Sequence, residues 1–443
     1  MTKNSLKTGP DELGYYGHGE SAMGGMAVGE TLMPVLHELN QGFEDAIKDQ
    51  SFLDEFDYHC KHYIGRPSPL YYAENLTKKL GGAKILFKRE HLNHTLSHKV
   101  TNSLFQVLLA KRMKKKALIC ESGAGQHFSA TAAVAAKFGM PLTGVMGDID
   151  IARVNQNIIK AKHYGAKLKS VPGTLKEAIT EAIKTFSSNP DYAYICGSAV
   201  SSAPYPRIVQ FAQSVIGREI REQSMAQEGR LPNMLIACCG GGSNLIGMIH
   251  EFLDEPEIIK IGVEAAETAA LSNGTPGIMQ GMKTYMLQTE DGSKSLGGAS
   301  LGAGIQYFSV GPQHSFLKDQ GAVTYTSATD KEILEAYKLI ASTEGICSAL
   351  EPMAGAAELI KQAKNKPKDY LICLNLCVNG ENDLNTINDV IYIVITVVDA
   401  FTDFQIDTSY EVLPDVENLN IYKIIQHRRK IVKIYEKVGT SVA

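Results

Sequence analysis

Charge of neither sign dominates the chain. Its 443 residues hold 44 Lys and Arg against 48 Asp and Glu, a formal net charge of −4. Without a large basic excess, no nucleic-acid surface is expected. There is no Cys-x-x-Cys pair, and the eight cysteines (Cys60, Cys120, Cys196, Cys238, Cys239, Cys347, Cys373, Cys377) follow no regular spacing. They read as reduced cytosolic thiols, most of them in the core. The opening stretch, MTKNSLKTGPDELGYYGHGE, has no apolar segment of the signal-peptide kind. The apolar run Val390 to Val398 is far too short to span a bilayer and reads as a buried element. These absences place the protein in the cytoplasm and away from membranes. Internal repeats and low-complexity segments are absent as well.

What the chain does have is 44% hydrophobic residues and 40 glycines, the composition of an α/β enzyme with many tight turns. Its length exceeds one ordinary domain and predicts two or three packed units. After glycine-rich turn material (Gly17 to Gly29), the apolar spacing predicts a helix over Thr31 to Ile47. Strands are then predicted at Lys84 to Lys88, Ala117 to Cys120, Leu142 to Met146 and Leu168 to Val171. Helices are predicted between and after them, at Thr101 to Met113, His127 to Phe138, Val154 to Tyr164 and Leu175 to Phe186. A second set comprises strands Met234 to Cys238, Ile259 to Val263 and Tyr370 to Asn375, and a helix from Asn244 to Phe252. Strands and helices interleaved at this spacing imply right-handed βαβ units around parallel sheets, an α/β fold. Beyond about Ala400 the chain changes character and ends in a basic amphipathic stretch, Ile421 to Lys437, which reads as a solvated surface helix.

Three segments carry chemistry. The first, Lys88 to Lys99, is polar and lies between a strand and a helix. A lysine there that loses its charge on desolvation can act as a nucleophile toward an aldehyde cofactor. Taken alone, Lys99 is more often a solvated surface residue, and His91, His94 and His98 suggest a metal site about as readily. The second is Cys239-Gly240-Gly241-Gly242-Ser243-Asn244, directly after the strand ending at Cys238. Bare backbone N–H groups at a helix start cradle an anion, and Ser243 and Asn244 add side-chain donors. The spacing is neither a Walker motif nor a dinucleotide fingerprint. The third is Glu121-Ser122-Gly123-Ala124-Gly125-Gln126-His127, where hydroxyl, amide and backbone donors suit a carboxylate ligand. Glu121 alone reads as an ordinary first-turn glutamate and, if partly buried, as a general acid or base.

These three segments, in this order, resemble the tryptophan synthase β-subunit family of fold-type II pyridoxal-phosphate (PLP) enzymes, and the resemblance covers roughly Gly24 to Asp383. Matching stretches include Gly65 to Tyr71, Pro204-Tyr205-Pro206, Gly281 to Tyr285, Val310 to His314 and Thr343 to Ile346. The resemblance implies two three-layer α/β domains with the cofactor between them. One comprises 1–64 and 98–212, including a mobile closing region at about 114–200. The other comprises 65–97 and 213–399, and 400–443 form an extension. It implies a Schiff base between PLP and Lys99, with His98 beside the cofactor, Gly240 to Asn244 as the phosphate cup and Glu351 near the ring. Ser122, Gly123, Ala124, Gln126 and His127 would hold the substrate carboxylate, with Gln126 also near the cofactor. Glu121 would help expel the β-hydroxyl of L-serine before indole adds. A monovalent cation on backbone carbonyls, a homodimer and an α-subunit partner touching Lys176 are implied too.

The match breaks at functional positions. Cys377 stands where the family presents a serine to the pyridine nitrogen, and a thiol is a poorer hydrogen-bond partner. Gln306 replaces an aspartate, so Arg153, which matches that residue's closing partner, finds no carboxylate there. Phe128 replaces a glycine and is expected to bring a ring beside the active site, reducing space for indole. Ala203 replaces a histidine and His91 an aspartate. These departures suggest a divergent member and leave three functions open. They are tryptophan synthase β activity, a related PLP lyase that uses another nucleophile or leaving group, and a non-catalytic PLP-retaining partner. Retention of Lys99, Glu121 and the phosphate cup argues against the third.

Overall fold

The computed structural model describes residues 6–152, 155–384 and 386–388. Arg153, the apolar run from Val390, the extension 400–443 and the basic stretch within it lie outside the described residues. The larger sheet has six strands in the order Thr324–Ala328, Ile259–Ala265, Met234–Cys238, Leu371–Asn375, Lys84–Lys88 and Leu70–Tyr72. All pair in parallel except Leu70–Tyr72, which runs antiparallel along the edge. Met234–Cys238 and Leu371–Asn375 are buried at every position, because helices cover both faces and leave no side to carry polar residues. Alternate residues serve different cores. Ile236 and Leu374 pack with Met353 and Leu359 of helix Leu350–Ala363. Leu235 and Cys373 pack with Ile216, Ile220 and Ile249 on the opposite side.

A second sheet of four parallel strands runs Lys167–Val171, Leu142–Gly147, Ala117–Glu121 and Tyr192–Tyr194. Helices Lys99–Arg112 and Gln126–Lys137 share one core with Leu118 and Leu142, while helix Leu175–Ser187 packs with Ile119 and Val145 on the other side. The expected α/β architecture and strand positions are therefore present, with shifts of one or two residues at most ends. A small antiparallel sheet (Tyr15–Tyr16, Met23–Gly24, Met282–Met286, Thr275–Met279) was not anticipated, because two of its strands have only two residues and Thr275–Met279 carries Pro276 and Gly277, which read as turn. Seven of the eight cysteines are buried, and all are free.

Phe128 corrects an expectation. Its ring is fully buried in the helix-to-sheet core, against Gly144 of the neighbouring strand, and not in the active-site region. A Cβ on Gly144 would stand 2.2 Å from the Phe128 ring. The missing side chain of one residue makes room for the added ring of the other.

The loop that leads to Lys99 is tied down by a buried charge network. Arg66 donates from Nη1 and Nη2 to the Glu90 carboxylate, 2.9 Å each, and from Nε to Glu219 at 2.8 Å. Lys88, with no exposed surface, donates to Glu219 at 2.5 Å and to the Ser68 carbonyl at 2.7 Å. Ser68 and Asn93 add hydrogen bonds to Glu90, and Arg66 reaches Thr101 in the helix that begins at Lys99. Burial alone would raise the Glu90 pKa, but the charge and hydrogen bonds of Arg66 hold it below the usual carboxylate range.

Two outcomes are expected. Arg66→Ala leaves two buried carboxylates without their guanidinium and should cost about 3–5 kcal/mol in urea unfolding. Because the Glu90 pKa is depressed, its contribution is complete above the unfolded carboxylate pKa of about 4.3 and fades as acid protonates it; wild type should lose stability there and Arg66→Ala should lose less. Phe128→Ala should destabilise by about 3–5 kcal/mol, as expected for emptying a packed aromatic site. A loss under about 1 kcal/mol would contradict the packing described.

Candidate active site

The carboxyl ends of strands from both parallel sheets face a common cavity of about 310 Å³, the usual place for a ligand in open α/β sheets. Lys99 opens its helix and projects into this cavity, where Nζ donates to the Gly197 carbonyl at 3.0 Å. Desolvation pulls its pKa down, against the nearby carboxyl groups of Glu121 and Glu351, so the amine is held closer to neutrality than a surface lysine. Glu121 ends strand Ala117–Glu121, and the N–H of the same Gly197 donates to its Oε1 at 2.8 Å. Its Oε2 is buried with no hydrogen-bond partner at ordinary distance. Burial pushes the Glu121 pKa up to about 7, against the Tyr194 hydroxyl, the Gly197 N–H and the Lys99 charge. One residue, Gly197, therefore holds both reactive groups, and a Cβ there would lie 2.8 Å from the Glu121 carboxylate and 2.6 Å from His127.

The Ser122 to His127 loop starts the helix Gln126–Lys137, with Gly125 at φ +74° as its cap. Ser122, Gly123, Ala124, Gln126 and His127 all line the cavity. His127 Nε2 lies 2.8 Å from the Ile195 carbonyl, and since a carbonyl only accepts, that nitrogen carries the proton. Burial lowers the His127 pKa to about 3, so the ring is neutral and fixed. By the same logic His98 donates from Nδ1 to the Cys377 carbonyl (3.0 Å), which leaves Nε2 to accept from the Ser243 hydroxyl (3.2 Å). The His98 pKa is lowered to about 3, again chiefly by burial. His91, His94 and His98 do not converge: His91 faces the Leu376 carbonyl and the His94 ring lies tilted against that of Tyr63. Among the described residues no group of three or more His, Cys, Asp or Glu is placed to hold a metal ion.

The turn Gly240-Gly241-Gly242 is a cradle that only glycine permits. A Cβ on Gly241 would stand 2.1 Å from Ser198 Oγ, one on Gly242 would strike the His314 ring at 2.2 Å, and Gly242 has φ +91°. His314 donates from Nε2 to the Gly242 carbonyl at 2.8 Å and holds the turn from behind. Ser243 is engaged by His98, and Asn244 donates to the Cys238 carbonyl (3.0 Å) while accepting from Asn375 (3.3 Å). Backbone N–H groups are what the cradle offers an anion. Bare amides, a desolvated lysine and the neutral His98 beside it fit pyridoxal phosphate.

Glu351 accepts from Gly304 N at 2.8 Å, and its Oε2 is a buried atom without a partner. Burial raises its pKa. Cys377 Sγ lies 3.6 Å from Cys238 Sγ. That contact and burial hold the Cys377 thiol far above its usual range, so it remains protonated. Gln306 lines the cavity and donates to the Ser300 carbonyl. Lys176 is turned to the cavity edge, donating to Ser295 Oγ at 2.9 Å beneath the Phe308 ring. Gly197, Tyr307 and Phe308 were not singled out from the sequence as site residues, since they reach the cavity only through tertiary folding. His314 had a signal in the matching stretch Val310 to His314 but no role attached.

Residues 62–377 match the family model described as pyridoxal-phosphate dependent enzyme. The chain is 48% identical over 400 residues to the tryptophan synthase beta chain of Allorhizobium ampelinum, covering 88% of this chain and 97% of the relative. It is 45% identical over 399 residues to the tryptophan synthase beta chain of a Bradyrhizobium species, with coverage of 88% and 97%. A solved structure of a T.th. threonine deaminase superposes with a TM-score of 0.59 at 21% identity, over 78% of this chain and 98% of that one, a likeness of fold. Sequence relationship along nearly the whole described body, together with a glycine cradle, a desolvated lysine and a buried acid around one cavity, places this chain in the tryptophan synthase beta chain family of pyridoxal-phosphate dependent enzymes.

Proposed function

We propose that the protein condenses L-serine with indole to give L-tryptophan and water. The observation that carries this reading is the Gly197 clamp, with Lys99 Nζ on its carbonyl and Glu121 Oε1 on its N–H. Lys99 would hold the cofactor, Gly240 to Gly242 and the N–H groups of Ser243 and Asn244 would hold its phosphate, and the Cys377 thiol and Glu351 would stand at its ring. When bound, pyridoxal phosphate supplies an electron sink for the carbon that loses its proton.

The protein's own groups do the rest. The Ser122 to Gln126 loop binds the substrate carboxylate at a helix start. The neutral amine of Lys99 takes a proton at Nζ. Glu121, protonated in part near neutrality, gives its proton to the departing β-hydroxyl so that it leaves as water. Leu175, Ile179, Val200, Tyr307 and Phe308 make an apolar wall that accepts a flat ring and excludes water.

A second reading, β-replacement or elimination with a different nucleophile or leaving group, is favoured by one observation. The Gln306 amide, where the family has a carboxylate, is bound to the Ser300 carbonyl. Products formed from PLP, L-serine and the purified protein, with and without indole and identified by mass, separate the two readings. The proposal extends to a cytoplasmic homodimer with an α-subunit partner, to a monovalent cation on backbone carbonyls, and to closure of the region 114–200 over the site. Among the described residues no helix is long and apolar enough to cross a membrane.

Lys99→Ala should abolish the visible absorption of lysine-bound cofactor while far-UV circular dichroism and the unfolding midpoint stay near wild type. A retained band would remove Lys99 from its role. Glu121→Gln should lower kcat by about 10²–10⁴-fold with little change in serine affinity. In wild type the protonated acid is the competent form, so turnover should decline as pH rises through about 7. The glutamine variant should lack that decline; the same pH limb in both proteins would assign it to another group.

A further inference from the structure

The carbonyl of Gly242 accepts from the Ile246 N–H at 2.9 Å and from His314 Nε2 at 2.8 Å. His314 has no exposed surface, and burial lowers its pKa to about 4, so its ring is neutral. With its one hydrogen on Nε2, the ring keeps a lone pair on Nδ1. That nitrogen lies 2.8 Å from the Tyr325 hydroxyl. Burial raises the Tyr325 pKa well above its usual value, so the phenol stays protonated. The hydroxyl therefore donates and Nδ1 accepts. Donation runs in one direction, from Tyr325 to His314 to the glycine turn.

Tyr325 reaches His314 because of a second glycine. It lies in strand Thr324–Ala328, opposite Gly262 of strand Ile259–Ala265. A Cβ on Gly262 would stand 2.7 Å from the Tyr325 ring, so the missing side chain makes room for that ring. The Tyr325 and His314 rings meet edge-on, with centroids 5.9 Å apart. His314 belongs to helix Pro312–Asp319, and Gly311, just before that helix, donates its N–H to the Gly241 carbonyl at 3.2 Å. In a planar trans peptide the carbonyl and the N–H point in opposite directions. Two carbonyls drawn back toward Gly311 and His314 thus turn the N–H groups of Gly242 and Ser243 the other way. On the reading that the cofactor phosphate lies at Gly240 to Asn244, we infer that Tyr325 and His314 are positioning residues for it: Tyr325 fixes the His314 tautomer, and His314 aims the Ser243 amide.

The test titrates the full-length chain, stripped of cofactor with hydroxylamine, with PLP and with pyridoxal. Pyridoxal has the same aldehyde but no phosphate, and absorbance of the lysine-bound form gives a dissociation constant for each. Wild type should prefer PLP. Tyr325→Phe should weaken PLP about fivefold and His314→Leu about tenfold or more, as for one hydrogen bond lost from a buried chain, while pyridoxal affinity stays within about twofold. The phosphorus NMR resonance of bound PLP should move toward that of free PLP in both variants. The ratio of the two affinities is decisive, since a merely structural defect weakens both cofactors together and leaves the ratio unchanged. An unchanged ratio in Tyr325→Phe would overturn the inference. A wild type that binds the two equally would remove the phosphate from the glycine turn and the relay's role with it, a result distinct from an unchanged ratio in the variant. Tyr325→Phe removes a single oxygen, so misfolding of His314→Leu would still leave a decisive variant.

Discussion

Everything near Lys99 depends on a set of charges the protein has taken out of water. Arg66, Lys88, Glu90 and Glu219 come from a turn, the end of an inner strand of the larger sheet, a loop and a helix, and they meet where almost no solvent reaches. Such groups are stable only while each keeps its partners, because an uncompensated ion in that environment is far costlier than a broken surface pair. The network therefore demands one placement of the four segments. That placement fixes the loop that ends in His98 and Lys99, and Thr101 carries the constraint into the helix.

Desolvation also sets the chemistry of the cavity. The same burial acts in opposite senses on a cation and an anion: it lowers the Lys99 pKa and raises that of Glu121. Both shifts favour neutral forms, one suited to accept a proton and the other to give one. Gly197 keeps the two apart and aligned, since its N–H can serve only the carboxylate and its carbonyl only the ammonium or amine. The histidines nearby do not compete for protons. His98 and His127 are held neutral, with backbone carbonyls specifying which nitrogen carries hydrogen.

The position of groups at the end of a single strand is legible in sequence, although their roles came from the family resemblance. Lys99, Glu121 and the glycine turn after Cys238 each follow a strand and precede a helix, so local pattern alone placed them at the carboxyl edge of a sheet. Burial on both faces made Met234–Cys238 and Leu371–Asn375 legible as continuous apolar runs. The strands Tyr15–Tyr16 and Met23–Gly24 were not, because two-residue pairings leave no period to detect.

Residues whose partners are distant in sequence needed the tertiary structure. Phe128 could be taken for an active-site intruder until Gly144, on the next strand, proved to be the space it fills. Ser243 and Asn244 carry the right atoms for a phosphate cup, yet those atoms are engaged by His98, Cys238 and Asn375. Gly197 has no side chain to announce it, and its importance lies in two backbone bonds to residues 98 and 76 positions away. The sequence by itself determined the α/β class, because hydrophobic period and turn composition are local properties, and its resemblance to a known family marked which strand ends carry reactive groups. Which of those groups meet, and in which protonation state, was decided by tertiary packing, because desolvation and hydrogen-bond partners are properties of the assembled interior.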